Sequence, residues 1–263
     1  MAPATAAKGT ALAVVAELAV KGRAPKTGYA RDQFGQAWFD TDRNGCDTRN
    51  DMLRRDLVDR DMKNWCKVLA GTRSPDPYTG SKVRFVIGGG SEIDIDHVVA
   101  LSDAWQKGAA GWKAGKRLAF ANDPLNLLAV DAGANRSKGE GDVATWLPPN
   151  RSYRCAYVAR VVSVKLKYQV WVTSAERDAM VRVLSGCATT ALPAPGSART
   201  TATLRRATPE PALPPAPELK APSQVDYHNC DAVRAASADP IRVGQPGDGR
   251  HLDRDGDGVG CER

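Results

Sequence analysis

The chain has 263 residues, enough for one or two domains with a buried core. Apolar residues make up 42% and charged residues 25%, and no apolar run approaches the ~20 residues of a spanning helix, which excludes an integral membrane protein. The net charge of +7 is uneven: residues 1–187 have 28 Lys and Arg against 20 Asp and Glu, or +8, whereas residues 226–263 have 5 against 8, or −3. The basic part suits a polyanion and the acidic part suits a cation.

Hydrophobic periodicity and turn residues predict a mixture of helices and strands up to residue 188. The first apolar stretch is a poor signal peptide because Glu17 interrupts it, so no export signal is evident. Asp47 or Thr48 is expected to cap the second helix, and Thr173 forms a capping box with Glu176. In chain order, we expect a disordered leader at 1–10, helices at 11–21 and 47–57, strands at 83–87 and 92–101, an inserted helix or loop at 103–122, a strand at 125–130, a helix from Asn135, and helices at 153–170 and 173–184.

The composition changes after residue 188. Residues 189–222 contain eight prolines and no aromatic residue, which predicts a semi-rigid linker. The remaining residues form a very small module with few apolar side chains, and such a module needs a metal or a disulfide to fold. We therefore expect a first domain at 1–188, a proline-rich linker at 189–224 and a second domain at 225–263.

The six cysteines divide into four before the linker and two after it, and none forms a C-x-x-C pair. Pairing within each part forces Cys230–Cys261 and leaves three choices for the other four. Proximity in sequence favours Cys46–Cys66 and Cys155–Cys187. Such disulfides indicate an extracellular or cell-surface protein, and reduced cysteines in a cytosolic protein are the alternative.

The end of the chain has the spacing of a calcium loop. Asp253, Asp255 and Asp257 supply carboxylates at alternate positions, a glycine follows for the sharp turn, and Val259 offers its carbonyl at position seven. Glu262 stands at position ten of this loop, whereas the closing glutamate of an EF-hand stands at position twelve. Residues 227–262 resemble the excalibur domain, an extracellular calcium-binding module, and the resemblance implies Ca²⁺ binding and a Cys230–Cys261 bridge.

The first domain contains one histidine, His97, which follows Asp96 on a predicted strand. Asn126 lies on a second strand, and Asn135 begins a helix that also contains Arg136 and Lys138. Hydrolysis of a phosphodiester needs a base, a polarised phosphate and positive charge, and these residue types supply them.

Each residue has an expected role in that chemistry. His97 is the candidate base, and Asn126 braces the loop that orients it. Asp96 and Asn135 offer oxygen ligands to Mg²⁺ or Mn²⁺, while Arg136 and Lys138 are placed to contact phosphate. Because neighbours on a strand point to opposite faces, Asp96 and His97 meet at one site only if the strand ends or bends there.

Three sequence blocks carry a family resemblance: Asp96-His97-Val98-Val99-Ala100-Leu101, Asn122-Asp123-Pro124-Leu125-Asn126-Leu127 and Asn135-Arg136-Ser137-Lys138-Gly139. With these blocks, residues 29–187 resemble the HNH-type (His-Me finger) nucleases related to the C-terminal domain of GmrSD restriction endonucleases. The resemblance implies a metal-dependent endonuclease with His97 as base. The third motif position, often histidine, is Asn135, which disfavours Zn²⁺.

The expected fold is α+β, with a ββα-metal (HNH-like) nuclease core, surrounding helices, and a small disulfide- and calcium-stabilised C-terminal module. The expected function is a secreted, metal-dependent endonuclease that acts on nucleic acid, with DNA favoured over RNA. The alternative is a non-catalytic extracellular calcium-binding protein that binds cell-wall polymer or nucleic acid.

Overall fold

The computed structural model describes residues 9–194, 199–202, 225–254 and 259–262, and the chain divides into two units, Met1–Leu204 and Arg205–Arg263. The first unit is α+β. Its helices are α1 (Ala11–Val15), α2 (Thr48–Asp56), α3 (Leu101–Gln106), α4 (Ala114–Ala121), α5 (Ala132–Lys138), α6 (Arg154–Tyr168) and α7 (Ser174–Ser185), with 3₁₀ turns at Arg31–Phe34, Ala109–Gly111 and Arg151–Tyr153. Its strands are β1 (Val58–Met62), β2 (Val68–Arg73), β3 (Val83–Val86), β4 (Ile93–His97) and β5 (Leu127–Asp131).

The strands form two separate antiparallel sheets. One sheet has the order β1-β2-β3, and the other consists of β4 and β5 alone. In the second sheet Ile93 lies opposite Asp131 and His97 lies opposite Leu127, while α3 and α4 occupy the connection between the two strands. Helix α5 begins at Ala132, directly after β5, so the chain order around His97 is strand, inserted helices, strand, helix.

The β4-β5 pair separates two hydrophobic cores because its side chains alternate between its two faces. Ile93 and Ile95 pack with Leu127 in the smaller core, which also contains side chains of α2, β2 and β3. Leu128 and Val130 point into the larger core, which α1, α3, α4, α6 and α7 complete. The pair is therefore fixed on both faces, and its register determines where His97 lies.

The first helix is shorter than predicted. It ends at Val15, although Leu18 remains buried as expected from its apolar pattern. Beyond the helix the chain becomes extended: Val20 bridges Val172, and Val172 N donates to Ala19 O at 2.9 Å. Pairing with the segment between α6 and α7 therefore replaces the last turns of the predicted helix.

Strands β1 and β2 were not predicted from the sequence. Strand β1 reads Val58-Asp59-Arg60-Asp61-Met62 and its first four residues are exposed, so it has no apolar alternation to detect. Strand β2 contains Gly71 and is only partly buried. Both strands depend on pairing across the sheet, which local sequence does not encode.

An acidic loop precedes α2 and is closed by its own hydrogen bonds. Asp40 accepts from the backbone N–H groups of Asn44 and Gly45, and the Asn44 amide donates to Asp42 and Asp51. Gly45 has a φ of +89°, a conformation that favours glycine. Asp47 then caps α2 by accepting from Asn50 N at 2.8 Å, as predicted.

Three disulfides close the chain, and they have the pairings favoured from the sequence. Cys46–Cys66 joins the start of α2 to the turn before β2, and Cys155–Cys187 joins the start of α6 to the end of α7. Each closes a loop of 20 or 32 residues, which stabilises the fold by about 3–4 kcal/mol in the chain-entropy model. The third, Cys230–Cys261, lies in the second unit.

The second unit contains α8 (Cys230–Ala235) and a two-stranded ladder of β6 (Ile241–Arg242) and β7 (Val259–Gly260). Its core consists of Val233, Ile241 and Leu252 beside the disulfide. Of the predicted calcium ligands, Asp255 and Asp257 lie outside the described residues, as does most of the predicted linker. Among the described residues of the whole chain, no helix combines the length and the apolar character needed to cross a bilayer.

Candidate functional site

Strand β4 ends at the two residues on which the predicted chemistry depends. The strand stops at His97 and the chain bends at Val98 and Val99 before α3 begins. As a result Asp96 and His97 line the same cavity, although neighbours on a continuous strand would face opposite sides. The bend that the sequence required is therefore present.

Asn126 holds this bend in place. Its side chain is fully buried; Oδ1 accepts from Val99 N at 2.9 Å, and Nδ2 donates to Val99 O and Phe120 O at 3.3 and 3.4 Å. Its backbone carbonyl also accepts from Val98 N at 2.8 Å. One asparagine thus satisfies the backbone groups that the end of β4 leaves unpaired.

His97 is buried, and its tautomer follows from its partner. Nε2 lies 2.9 Å from Ala121 O at the end of α4, and a carbonyl only accepts, so Nε2 carries the proton. Nδ1 then bears the lone pair, and it has no hydrogen-bond partner among the described residues. Burial lowers the pKa of His97 to about 4, against the raising effects of the Ala121 hydrogen bond and Asp96, while Arg31 and Lys138 lower it further. The ring is therefore neutral at physiological pH and can accept a proton.

Asp96 is held by two buried donors. Lys138 Nζ lies 2.9 Å from Oδ1 of Asp96 and also donates to His97 O at 2.8 Å. Tyr78 Oη donates to Oδ2 at 2.5 Å. Burial and the charge of Asp96 raise the pKa of Tyr78 well above its ordinary value, so its hydroxyl stays a donor.

The cavity beside His97 has a volume of about 390 Å³ and a polar lining. Asn135 lines it together with Glu140, Ser102, Lys26 and Arg31. The Asn135 amide donates to Asp94 at 3.2 Å, which directs its side chain toward β4. Several polar and charged side chains thus line the cavity next to His97.

The donor set fits a hard divalent cation with few protein ligands. Asp96 retains lone pairs beyond the two that accept hydrogen bonds, and Asn135 Oδ1 accepts none among the described residues. Mg²⁺ keeps several waters and needs only one or two protein carboxylates, whereas Zn²⁺ takes three or four side-chain ligands. Within the described part of the chain, no group of three His, Cys, Asp or Glu is arranged to hold a metal.

The predicted phosphate contacts have different positions in the structure. Arg136 is exposed on α5. Lys138 is buried and its ammonium is bound to Asp96 and His97 O, an arrangement that does not leave it free to reach a phosphate. Its place in the structure is that of a residue that positions Asp96.

Asp103 is close to His97 in sequence but does not line its cavity. Lys107 Nζ is 2.7 Å from carboxylate oxygens of Asp103, Asp142 and Glu176. Lys165 and Arg23 complete this buried ion cluster, which contains three acids and three bases. Asp103 is therefore a partner of buried cations, while Asp94 remains beside Asn135.

Two residues of the site lacked a sequence signal. Tyr78 lies in the turn between β2 and β3, and only tertiary packing brings its hydroxyl to Asp96. Arg31 lies far upstream of the motif blocks on a 3₁₀ turn, and it lines the cavity next to His97. No local pattern distinguishes these residues from an ordinary core tyrosine and a surface arginine.

Comparison with known families gives one match in each unit of the chain. Residues 47–183 match the family described as GmrSD restriction endonucleases, C-terminal domain. The chain belongs to this family. Residues 227–262 match the excalibur calcium-binding domain, so both parts of the predicted resemblance are confirmed, in the predicted order.

The chain is also similar to a secreted protein of a fungus. A protein of Arthroderma benhamiae named "Uncharacterized secreted protein" is 38% identical to this GmrSD-type chain over 180 residues, which cover 68% of the chain and 85% of the relative. No solved structure matches the chain. The relative's name and the three disulfides fit an extracellular protein.

Proposed function

We propose that this chain is a secreted, metal-dependent endonuclease that hydrolyses phosphodiester bonds of nucleic acid, DNA in preference to RNA. The observation that carries the proposal is the state of His97: its Nε2 proton is fixed on Ala121 O, its Nδ1 is unpartnered among the described residues, and it adjoins a polar cavity. The family, described as restriction endonuclease domains, supports a nucleic-acid substrate. The order β4, β5, α5 supports a ββα-metal core in the first domain. We place a nuclease domain at 1–188, a linker at 189–224 and an excalibur domain at 225–263.

The chemistry follows from the positions of these groups. His97 Nδ1 accepts a proton from water, the water oxygen attacks phosphorus, and the bond from phosphorus to the 3′ oxygen breaks. The departing 3′ oxygen takes up a proton from solvent. Asn126 orients His97 by fixing the bend, and Lys138 with Tyr78 positions Asp96. Asp96 and Asn135 would hold one Mg²⁺ or Mn²⁺, which supplies positive charge to the phosphate oxygens when bound.

Cleavage of supercoiled plasmid with and without chelator tests the proposal. We expect nicking by the wild type in Mg²⁺, loss of nicking on chelation, and loss of at least 10²-fold in rate for His97→Ala. His251→Ala, a histidine of the second unit, is the matched control and should keep full activity. Parallel assays on single-stranded DNA and RNA establish the substrate class, and activity of His97→Ala within threefold of wild type would refute the assignment.

The excalibur match supports a second candidate, a non-catalytic extracellular protein that binds cell-wall polymer or nucleic acid through its basic first unit. The two candidates differ in one measurement. If the wild type binds DNA or wall polymer but cleaves no nucleic acid in Mg²⁺ or Mn²⁺, the binding protein is the correct reading.

A further inference from the structure

In the proposed nuclease site, neither of the two side-chain cations predicted to contact phosphate is placed to do so. The phosphorane formed on attack carries additional negative charge, and arginine or lysine side chains stabilise such charge best when they donate directly to the phosphate oxygens. Lys138 is buried and bound to Asp96, and Arg136 does not line the cavity. The cation must therefore come from another element.

Two other cations line the cavity, and they differ in how they are engaged. Lys26 Nζ lies 2.7 Å from Glu140 and 5.4 Å from the ring centre of Tyr29, so its charge is already compensated. Arg31 is exposed, and its guanidinium makes no hydrogen bond or ion pair within the described residues. Arg31 also lines a second, smaller cavity that His97 borders as well.

The backbone that carries Arg31 is held firmly. Phe34, at the end of the same 3₁₀ turn, is buried and packs against Trp105 and Phe120. The centre of its ring lies 6.3 Å from that of Trp105 and 6.1 Å from that of Phe120. Arg117 donates to Gln33 O at 2.7 Å. The backbone at Arg31 is thus fixed while the guanidinium stays available to a ligand, and this combination suits a catalytic residue.

We propose that Arg31 is a catalytic residue that binds the scissile phosphate through its guanidinium and stabilises the phosphorane. The inference rests on the proposed nuclease function and deepens it. Arginine suits the role because its planar guanidinium forms two parallel hydrogen bonds to a phosphate, whereas a lysine ammonium acts as a point charge.

Kinetics of three variants test the proposal in the full-length protein. Arg31→Ala should reduce kcat on the order of 10²-fold with a smaller change in KM. Arg31→Lys should show a smaller reduction in kcat, because lysine keeps the positive charge but not the paired donors. Arg182→Ala, which removes an exposed arginine on α7, should leave both constants unchanged. Melting curves of all variants show whether the fold is intact.

DNA-binding measurements test the role of Arg31 separately from the proposed nuclease function. In a His97→Ala background, which prevents cleavage, Arg31→Ala should lower the slope of log K against log salt for a DNA duplex by about 1, the value for one lost phosphate contact. If Arg31→Ala cleaves within threefold of wild type while His97→Ala is inactive, the role of Arg31 is refuted and the nuclease function stands. If the wild type cleaves nothing, both are refuted.

Discussion

At the scale of single residues, burial decides the chemistry of His97. The sequence indicates a histidine base with an ordinary pKa near 6.5. The structure places the ring against Ala121 O in a buried position, and burial lowers its pKa to about 4 despite that hydrogen bond and the nearby carboxylate of Asp96. The neutral form, which is the form a base requires, therefore extends well below pH 6.

The pH profile of cleavage should reflect this lowered pKa. As pH falls, we expect the rate to stay constant through pH 6 and to fall only near pH 4, when Nδ1 is protonated. The same shift removes stability between pH 6.5 and 4, because the unfolded chain binds a proton there that the folded chain does not. Titration of the His97 ring by NMR gives the pKa directly, and a midpoint at 6.5 would contradict the burial argument.

Lys138 and Arg136 provide a comparison within one helix. Lys138→Met removes the cationic partner of the buried Asp96 and should destabilise the fold by roughly 3–5 kcal/mol. Arg136→Ala removes an exposed side chain two residues earlier and should change stability by less than ~0.5 kcal/mol. Urea unfolding measures both, and equal midpoints for the two variants would show that the Lys138 pair has no structural role.

At the scale of elements, local signals predicted what local interactions form. The caps of α2 and α7 were predicted from Asp47 and Thr173 because a capping hydrogen bond spans only three residues. Strands β3, β4 and β5 were predicted from their apolar residues, and α5 was predicted within a few residues of its start. In contrast, β1 and the extended segment after α1 form only through partners distant in sequence.

The candidate site shows the same division. His97, Asn126 and Asn135 were placed by motif and order, and the structure brings the elements that carry them together. The engagement of Lys138 by Asp96 and the approach of Tyr78 depend on the packing of α5 and the turn at 76–80 against β4. Spacing along the chain contains no information about these contacts, so the role of Lys138 could not be assigned from sequence.

Asn126 should act on stability as an element brace. Asn126→Ala leaves Val99 N and the carbonyls that accept from Nδ2 without partners in a buried position, at a cost of roughly 1–3 kcal/mol per unsatisfied group. Asn64→Ala is a matched control, because the Asn64 side chain accepts from two backbone N–H groups, whereas it lies in an exposed turn. Thermal unfolding should show a much larger loss for Asn126→Ala, and similar losses would indicate that the bend does not depend on Asn126.

At the scale of the first unit, the buried ion cluster connects segments that are far apart in sequence. Lys107 directly follows α3, Glu176 lies on α7, Lys165 lies on α6, and Asp142 follows α5. Burial raises the pKa of Asp103, but the charges of Lys165 and Lys107 outweigh this effect and lower it; Asp142 has a lowered pKa from the same kind of neighbours. The stability these acids provide is present above their ordinary pKa of 3.8 and is lost as pH falls below it.

Removing one member of the cluster should therefore affect the whole unit. Lys107→Met leaves three carboxylates with fewer cations in a buried site, and we expect a loss of roughly 3–5 kcal/mol in the free energy of unfolding. The pH at which the variant unfolds should rise, because its acids take up protons more readily. Acid titration followed by circular dichroism measures that pH, and an unchanged midpoint would show that the cluster is balanced without Lys107.

The excalibur unit should fold only with Ca²⁺ bound and the Cys230–Cys261 bridge closed. Its core of Val233, Ile241 and Leu252 is too small to offset roughly 1.5 kcal/mol of ordering entropy per residue. Asp253, Asp255 and Asp257 also repel one another unless a cation neutralises them. Extracellular calcium sites bind at about 10⁻⁴–10⁻³ M, so we expect a folding transition in that range of calcium concentration.

The calcium experiment must distinguish the predicted calcium loop of the second unit from the acidic loop before α2. Asp40, Asp42 and Asn44 have the same alternate spacing as Asp253, Asp255 and Asp257. NMR of the full chain in Mg²⁺ with a calcium-selective chelator makes this distinction, since residues of the two units are resolved individually. On chelation, we expect the NMR signals of the second unit to lose their dispersion while plasmid nicking continues. Asp253→Asn should reproduce this loss of dispersion at millimolar calcium, and dispersed signals of the second unit after chelation would refute the requirement for Ca²⁺. Loss of nicking with an unchanged first unit would refute the independence of the two metal sites.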